Sequence, residues 1–196
     1  MDLGKIKLNP STWTASSLGE HVGMISGVHI DSELANNEGR GVPYLTGPAD
    51  FKGDVAVATR YTEWPQVMCQ AGDILVTVKG SGAGRVAIAV EDACISRQLA
   101  AICTPVDERN YWLSIINAHY EELQSRASSG LIPGLSRGDL LSLRVLLPTA
   151  GERRAISKIL DSFDKAIRSI EAERSKLFQF KAGLVDDLLT GRVLPA

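Results

Sequence analysis

The stretch "LVTVKGSGAGRVAIAV", residues 75–90, sets three glycines in the middle of an apolar run. Gly80, Gly82 and Gly84 alternate with small residues, and the cations Lys79 and Arg85 flank them. A glycine cluster of this kind is typical either of a loop that holds a nucleotide phosphate or of a turn between two strands. The two alternatives lead to different classes of protein, an enzyme in the first case and a binding module in the second.

The spacing of these glycines does not match a phosphate-binding motif. A Walker loop needs a lysine and a hydroxyl residue after its last glycine, but Arg85 and Val86 follow Gly84. The dinucleotide fingerprint needs a third glycine where Arg85 stands and a helix after it, whereas "RVAIAV" alternates like a strand. We therefore predict a strand, a glycine turn and a second strand, and keep a nucleotide-using enzyme as an alternative.

The remainder of residues 1–150 combines short strand signals with two helical segments. Gly, Pro and Asp punctuate the β-rich runs "GVPYLTG", "DVAVATRY", "GDILVTV", "RVAIAV" and "SRQLAAIC". Residues 107–128 switch to three- and four-residue spacing, which predicts one amphipathic helix with His119 packed in the core. Ser136 and Asp139 predict a capping box, and "RVLLP" predicts a last strand. We predict an α+β domain of short mixed or antiparallel strands over 1–150.

Residues 151–196 form the second predicted domain, a coiled-coil-forming helix, because a heptad repeat runs to Leu189 without a proline. The repeat has two series, which we name after one member: the Phe163 series (Ile156, Phe163, Ile170, Leu177, Leu184) and the Leu160 series (Leu160, Ile167, Arg174, Lys181, Leu188). A helix of about 58 Å is too long to bury this stripe against a small domain. We therefore predict a dimer that forms through the apolar members of the two series. The charged Arg174 and Lys181 either set the register or mark where the helix contacts another protein.

The composition is that of a globular protein without an overall basic signature. Of 196 residues, 44% are hydrophobic and 22% charged, and the net charge is −2. Residues 1–150 carry −4 and residues 151–196 carry +2, so nucleic-acid binding by the first domain requires a local cluster of cations. The three cysteines form no C-x-x-C pair. We expect reduced, buried thiols in a cytoplasmic protein without a signal peptide or membrane segment.

The sequence carries no pattern that indicates a catalytic, cofactor or metal site. His21, His29 and His119 lack the spacing of paired metal ligands. A nuclease-like arrangement can be forced onto Asp31 with Asp50 and Lys52, but that spacing arises easily by chance. We therefore expect no enzymatic activity from this chain itself.

Five motifs in order resemble the specificity (S) subunit of Type I restriction–modification systems. They are "LNPSTWTASSLGEHVGMISG", "GVPYLTGPADFKGD", "GDILVTVKGSGAGRVAIA…ISRQLAAICTP", "SSGLIPGLSRGDLLSLRVLLP" and the helix that begins "ERRAISKILDSF". The family's subunit usually holds two target recognition domains and two spacer helices, whereas this chain has one of each. It also has Arg153 where the family's helix usually has Gln.

The resemblance implies a non-catalytic reader of double-stranded DNA that homodimerises and recognises a bipartite palindromic site. Methyltransferase (modification) subunits would bind its helices and bring S-adenosylmethionine, and a motor nuclease subunit would complete a restriction complex. Arg97 and Gln98 are candidate base readers, since Arg pairs with guanine and Gln with adenine. The candidate DNA contacts are Arg40, Tyr44, Thr46, Lys79, Ser81, Arg85, Arg97, Gln98, Ser129 and Arg137. The acidic first domain favours the alternative, a coiled-coil scaffold without DNA binding.

Overall fold

The computed structural model describes residues 8–80, 82–128 and 133–192, and the chain divides into two units, residues 1–157 and 158–196. The described strands are β1 (Thr14–Ser17), β2 (Gly23–Ser26), β3 (Ala35–Asn36), β4 (Val42–Leu45), β5 (Phe51–Lys52), β6 (Val55–Ala56), β7 (Arg60–Thr62), β8 (Met68–Cys69), β9 (Ile74–Thr77), β10 (Val86–Ala89), β11 (Ala93–Ile95), β12 (Leu99–Cys103) and β13 (Arg144–Leu147). The described helices are α1 (Arg109–Ala118), α2 (Tyr120–Ser128), α3 (Arg137–Leu141) and α4 (Ala150–Leu189). The α+β architecture of short, mixed strands followed by a long helix is the one predicted.

The strands form two larger sheets and one small one. The six-stranded sheet has the order β2-β12-β9-β10-β6-β5, and the five-stranded sheet has the order β3-β7-β4-β11-β8. β1 and β13 pair separately. β9 and β10 are antiparallel neighbours, with Val76 opposite Val86 and Leu75 opposite Ala87. The strand–turn–strand prediction for residues 75–90 is therefore confirmed.

The six-stranded sheet is buried on both faces, which explains the continuous apolar run of β9. Ile74 and Val76 lie in one core cluster with Trp112 and Ile116 of α1. Leu75, between them, belongs to a second cluster that contains Leu45 and Ile95 of the five-stranded sheet, because successive strand residues face opposite sides. The two helices α1 and α2 therefore cover one face of this sheet, and the other sheet covers the opposite face.

The prediction of a single helix over residues 107–128 is wrong in one respect. The structure has two helices there, α1 and α2, which are separated at His119. The ring of His119 places Nδ1 2.8 Å from the Ile115 carbonyl oxygen and Nε2 3.2 Å from that of Arg144. The side chain is half-buried, and these contacts tie the break to β13. α3 begins as predicted, since the Asp139 amide donates to Ser136 Oγ and the Ser136 amide donates to the Asp139 carboxylate.

The first turns of α4 belong to the first unit and are fastened to it by specific contacts. The Glu152 carboxylate accepts the amide of Asn9 at 2.8 Å and the amide of Thr149 at 3.0 Å. The Tyr111 amide of α1 donates to Ser157 Oγ at 2.9 Å. Ile156, which we predicted in the dimer interface, instead packs against the core of its own unit. It does so because it lies one residue before this anchored serine.

Arg153, near the start of α4, forms a buried ion pair. Its Nε and Nη2 donate to the two carboxylate oxygens of Glu108 at 2.6 and 3.1 Å. Trp112 Nε1 donates to the same carboxylate at 3.3 Å, and the guanidinium lies over the Trp112 ring at 5.8 Å from its centroid. Since Glu108 is buried, its charge depends on this arginine. Arg153 therefore fastens the start of α4 to α1.

Residues 158–189 of α4 form the predicted long helix, and its apolar stripe is exposed. Ile170 and Leu177 are 65% and 62% exposed. Phe178, just after Leu177, is 64% exposed. Such values are unusual for a row of large apolar side chains on one helix face.

Candidate nucleic-acid interface

Three strands of the six-stranded sheet bring predicted contact residues to one edge. β10 and β12 both run antiparallel to β9, so their first residues lie beside the last residues of β9. The Thr77 amide donates to the Arg85 carbonyl at 2.8 Å, and the Val78 amide donates to the Gln98 carbonyl at 2.7 Å. Lys79, which follows Val78, therefore leaves the sheet between Arg85 and Gln98.

The five-stranded sheet ends at the same edge. β4 and β11 are parallel neighbours, so Thr46 after β4 lies beside Ser96 after β11. Ser96 Oγ donates to the Thr46 carbonyl at 2.6 Å, and the Gln98 amide donates to Ser96 Oγ at 3.1 Å. A Cβ on Gly47 would lie 2.6 Å from Gln98 Oε1. The end of the Gln98 side chain therefore lies against the backbone of the loop at Gly47.

The glycine turn is supported from both sides and open at its start. Gly80 and Gly84 have φ of +86° and +89°, a region that side chains rarely adopt. A Cβ on Gly84 would lie 3.2 Å from Leu123 of α2, and one on Gly82 would lie 3.2 Å from Pro48. A Cβ on Gly80 would meet nothing within 4 Å. The space beside the Gly80 backbone is therefore open.

The loop before α3 runs alongside this turn. Lys79 and Gly134 form a β-bridge, and the Leu135 amide donates to the Val78 carbonyl at 2.7 Å. Two predicted contact residues, Ser81 in the glycine turn and Ser129 in the late loop, lie outside the described residues.

We call Lys79, Arg85, Arg97 and Gln98 the recognition edge. All four side chains are exposed. Within the described parts of the chain, Lys79, Arg85 and Arg97 take part in no ion pair. Their positive charges are therefore not compensated locally, although residues 1–150 carry −4 in total. Such a cluster attracts a polyanion that the domain as a whole would repel.

Two other candidates lie away from the recognition edge. Arg40 precedes β4, at the end of that strand opposite to Thr46, and pairs with Glu38 at 3.6 Å and Glu63 at 3.7 Å. These residues line a separate surface cavity of about 340 Å³. Tyr44, which we expected at the surface, is 3% exposed, and its hydroxyl accepts the Ile30 amide at 3.4 Å. The placement predicted for Tyr44 is corrected, because β4 is covered on both faces: Tyr44 packs in a small cluster with Ile30 and Cys94, while Leu45 belongs to the cluster between the two larger sheets.

Two further candidates lie near the recognition edge but already hold partners. Thr46 Oγ1 donates to the buried Asp50 carboxylate at 2.9 Å. Arg137 Nη1 donates to the Met24 carbonyl at 2.9 Å. The sequence analysis missed Lys52, an exposed cation of β5, four residues after the Pro48 that approaches the glycine turn. The approach of Pro48 to Gly82 brings this segment to the site, and no local sequence pattern indicates that approach.

The described residues contain no group of three or more His, Cys, Asp and Glu side chains able to hold a metal ion. The three cysteines are free thiols, and burial raises the pKa of Cys69 to about 11, which suppresses the reactive thiolate. In the same residues we find no helix with the length and apolarity needed to cross a membrane.

Comparison with known proteins relates this chain to one protein family. Residues 10–178 match the Type I restriction modification DNA specificity domain. The MjaX specificity subunit of a type I restriction enzyme from Methanocaldococcus jannaschii is 31% identical over 199 residues, which cover 98% of this chain and 45% of that protein. The MjaVIII specificity subunit from the same organism is 24% identical, covering 92% of this chain and 43% of that protein.

Solved structures of type I restriction–modification proteins share the fold of this chain. A chain from a study of complex assembly and conformational transition of the type I R-M system superposes with a TM-score of 0.69 at 29% identity, over 94% of this chain and 47% of that one. The HsdS subunit from Thermoanaerobacter tengcongensis gives 0.68 at 26% identity, over 94% and 46%. The S subunit from M. genitalium, at 18% identity and 0.67, supports the fold alone.

The chain therefore belongs to the family of Type I restriction–modification DNA specificity domains, as the resemblance suggested. It spans about half the length of the relatives and structures that it matches.

Proposed function

We propose that this chain reads DNA for a Type I restriction–modification complex and that the recognition edge is its DNA-binding surface. The observation that carries the proposal is the convergence of Lys79, Arg85, Arg97 and Gln98, from the ends of three strands, as exposed side chains whose cations lack a counter-charge in the described chain. Membership in a DNA specificity family supports it.

The recognition edge divides into a phosphate-contacting and a base-reading part. Lys79 stands beside the open backbone of Gly80, where a duplex can approach closely, and a lysine suits a phosphate contact. Arg97 and Gln98 lie on the rigid corner between β11 and β12. Arg pairs with guanine and Gln with adenine through two hydrogen bonds each, so this corner reads bases in the major groove.

The chain supplies recognition, and partner subunits supply chemistry. Methyltransferase subunits bring S-adenosylmethionine and transfer the methyl group, and a motor nuclease subunit completes the restriction complex. The exposed apolar residues on α4 support an assembly role for this helix, since isolated soluble proteins rarely expose such a row.

Two copies of this chain together are about as long as one of the relatives, since the chain spans about half of each. A homodimer through α4 carries two identical recognition edges related by a two-fold axis. Such a dimer reads one sequence twice in opposite directions along the duplex, which is a bipartite palindromic site.

A direct test is the DNA affinity of the complex formed with a methyltransferase partner. Replacing Lys79, Arg85 and Arg97 together by Gln should abolish specific binding and lower the salt dependence of what remains. The matched control replaces three exposed cations of α4 that face outward, Lys158, Lys165 and Arg168, by Gln. Equal binding by wild type and the recognition-edge variant would instead favour a coiled-coil scaffold, the function that the acidic first unit suggests.

A further inference from the structure

The loop that joins β4 to β5, residues 46–50, is built around one buried carboxylate, and we call it the Asp50 loop. Asp50 is 2% exposed. Its Oδ2 accepts the Thr46 amide at 2.7 Å, the Thr46 hydroxyl at 2.9 Å and the Gly47 amide at 3.4 Å. Its Oδ1 accepts the Thr59 hydroxyl at 3.1 Å. Three of these four hydrogen bonds therefore come from the loop itself.

These hydrogen bonds compensate the charge of Asp50 in place of a cation. In the described parts of the chain, Asp50 takes part in no ion pair. A buried carboxylate is costly unless donors surround it, and the loop has to turn its own amides and the Thr46 hydroxyl inward to provide them. Removal of the carboxylate would leave these donors without an acceptor. The charge of Asp50 thus selects one conformation of the loop.

Hydrogen bonds connect the Asp50 loop to the backbone of the proposed base reader Gln98. Ser96 Oγ donates to the Thr46 carbonyl at 2.6 Å and accepts the Gln98 amide at 3.1 Å. Ser96 is 4% exposed, so water has little access to these bonds. A continuous chain of hydrogen bonds therefore runs from the Asp50 carboxylate to Gln98.

The loop also borders the side chain of Gln98. A Cβ on Gly47 would lie 2.6 Å from Gln98 Oε1 and 3.3 Å from its Cδ, so the loop backbone limits where the carboxamide can lie. In the described parts of the chain, this carboxamide makes no hydrogen bond. Its donors and its acceptor are therefore available for a base.

Lys79, the proposed phosphate contact, is held by contacts outside the Asp50 loop. Its backbone forms a β-bridge with Gly134, and the Leu135 amide donates to the carbonyl of the preceding Val78 at 2.7 Å. Both contacts come from the loop before α3. A change in the Asp50 loop should therefore disturb base reading and leave the phosphate contact in place.

We infer that Asp50 is a positioning residue for sequence recognition, and that its carboxylate acts through Ser96 to place the Gln98 side chain for base reading. The inference rests on the proposed function, since it takes Gln98 as a base reader. It gives a role in specificity to an acid that is too deeply buried to touch DNA itself.

Replacement of Asp50 by alanine tests the inference. Asp50→Ala should lower the preference at the base pair that Gln98 reads by about fivefold or more, because the loop loses its acceptor. The slope of log affinity against log salt should stay unchanged, since no phosphate contact is lost. Selection by the complex with its methyltransferase partner from a pool of random DNA duplexes, followed by sequencing, measures the preference at every base pair.

A double-mutant cycle separates positioning from general damage to the domain. Adding Asp50→Ala to Gln98→Ala should change the preference at that base pair by less than about twofold, because Asp50 acts through Gln98. The conservative Asp50→Asn should stay within about threefold of wild type. Its amide oxygen can accept the two loop amides, and its NH₂ group can donate to Thr59 Oγ1.

Asp73→Ala is the matched control. Asp73 is 8% exposed, and its carboxylate accepts the Gln70 amide at 2.9 Å. It stands just before β9, at the end of that strand opposite to Lys79. The variant should lower the free energy of unfolding and leave every base preference unchanged.

Ser96→Ala tests the same inference if Asp50→Ala does not fold. It removes the link to Gln98 while the carboxylate of Asp50 remains, and it should relax the preference at the same base pair. Wild-type preference in either folded variant, or losses from Asp50→Ala and Gln98→Ala that simply add, would overturn the inference and leave the proposed function intact. If Gln98→Ala itself keeps the full preference, the base-reading role of Gln98 is wrong, and this inference with it.

Discussion

At the residue scale, the recognition edge assigns different roles to neighbouring side chains. Lys79→Ala should weaken binding to all DNA sequences alike and reduce the slope of log affinity against log salt by about one, as loss of one phosphate contact does. Arg97→Ala or Gln98→Ala should instead relax the preference at one base pair, by about 1–3 kcal/mol. Binding to matched and random duplexes at several salt concentrations measures both effects.

Arg40 provides the matched control for these variants. Its guanidinium already pairs with Glu38 and Glu63, so Arg40→Ala should leave DNA binding unchanged. Equal losses on specific and random DNA from Lys79→Ala, Arg97→Ala and Gln98→Ala would refute the division into phosphate and base contacts.

The ion pair between Arg153 and Glu108 makes a second residue-scale prediction. Arg153→Ala leaves the Glu108 carboxylate buried without its counter-charge, which should lower the free energy of unfolding by about 3–5 kcal/mol. Adding Glu108→Gln removes the unpaired charge and should recover part of that loss. Urea unfolding of the single and double variants measures both; a single variant as stable as wild type would show that the pair does not hold α4.

Glu152 makes the start of α4 sensitive to acid. Hydrogen bonds from the Asn9 amide, and then from Thr149, lower the pKa of Glu152 to about 2 from its ordinary 4.5. The folded state therefore binds this proton less readily than the unfolded state. Its stabilising contribution is present above about pH 4.5 and is lost as the pH falls towards 2. The stability difference between wild type and Glu152→Gln should shrink over that range, and a difference independent of pH would contradict this assignment.

At the element scale, the sequence predicted the long and strongly patterned elements and missed several of the short ones. β9, β10, β12, β13 and α4 follow from apolar runs or heptads. Strands of two residues, such as β3 and β8, are too short to show a period. At the break, the His119 ring contacts the Arg144 carbonyl, which lies 25 residues away along the chain. Local spacing carries no information about such a contact.

The exposed apolar stripe of α4 leads to a prediction at the element scale. Phe163→Asp together with Ile170→Asp buries carboxylates in an apolar interface, which should cost several kcal/mol, about 3–5 per unpaired charge, and yield a monomer. Light scattering measures the mass. The outward pair Lys165→Asp and Arg168→Asp is the matched control and should remain dimeric. If the variant with both Phe163→Asp and Ile170→Asp is still a dimer, the coiled-coil assignment is contradicted.

At the scale of the whole molecule, the candidate site was predicted only in part. The glycine turn could be predicted because it lies between two recognisable strands, whereas Arg97 and Gln98 stood inside the predicted strand run "SRQLAAIC" and were selected through the family resemblance and their base-pairing chemistry. Their convergence could not, since it depends on β4 and β11 ending beside β9. Tyr44 shows the same limit, because "GVPYLTG" predicts a strand but not which of its residues face the core.

The central claim is that two identical copies read one site, and methylation mapping tests it most directly. The chain is produced with its methyltransferase partner, and methylated positions are mapped across a genome by long-read sequencing. Two recognition edges related by a two-fold axis should give an interrupted palindrome, with a gap set by α4, whose 40 residues span about 60 Å. Removal of one heptad should shorten the gap or abolish methylation without changing the half-sites. An asymmetric bipartite site made by this chain alone with its methyltransferase would contradict the symmetric dimer.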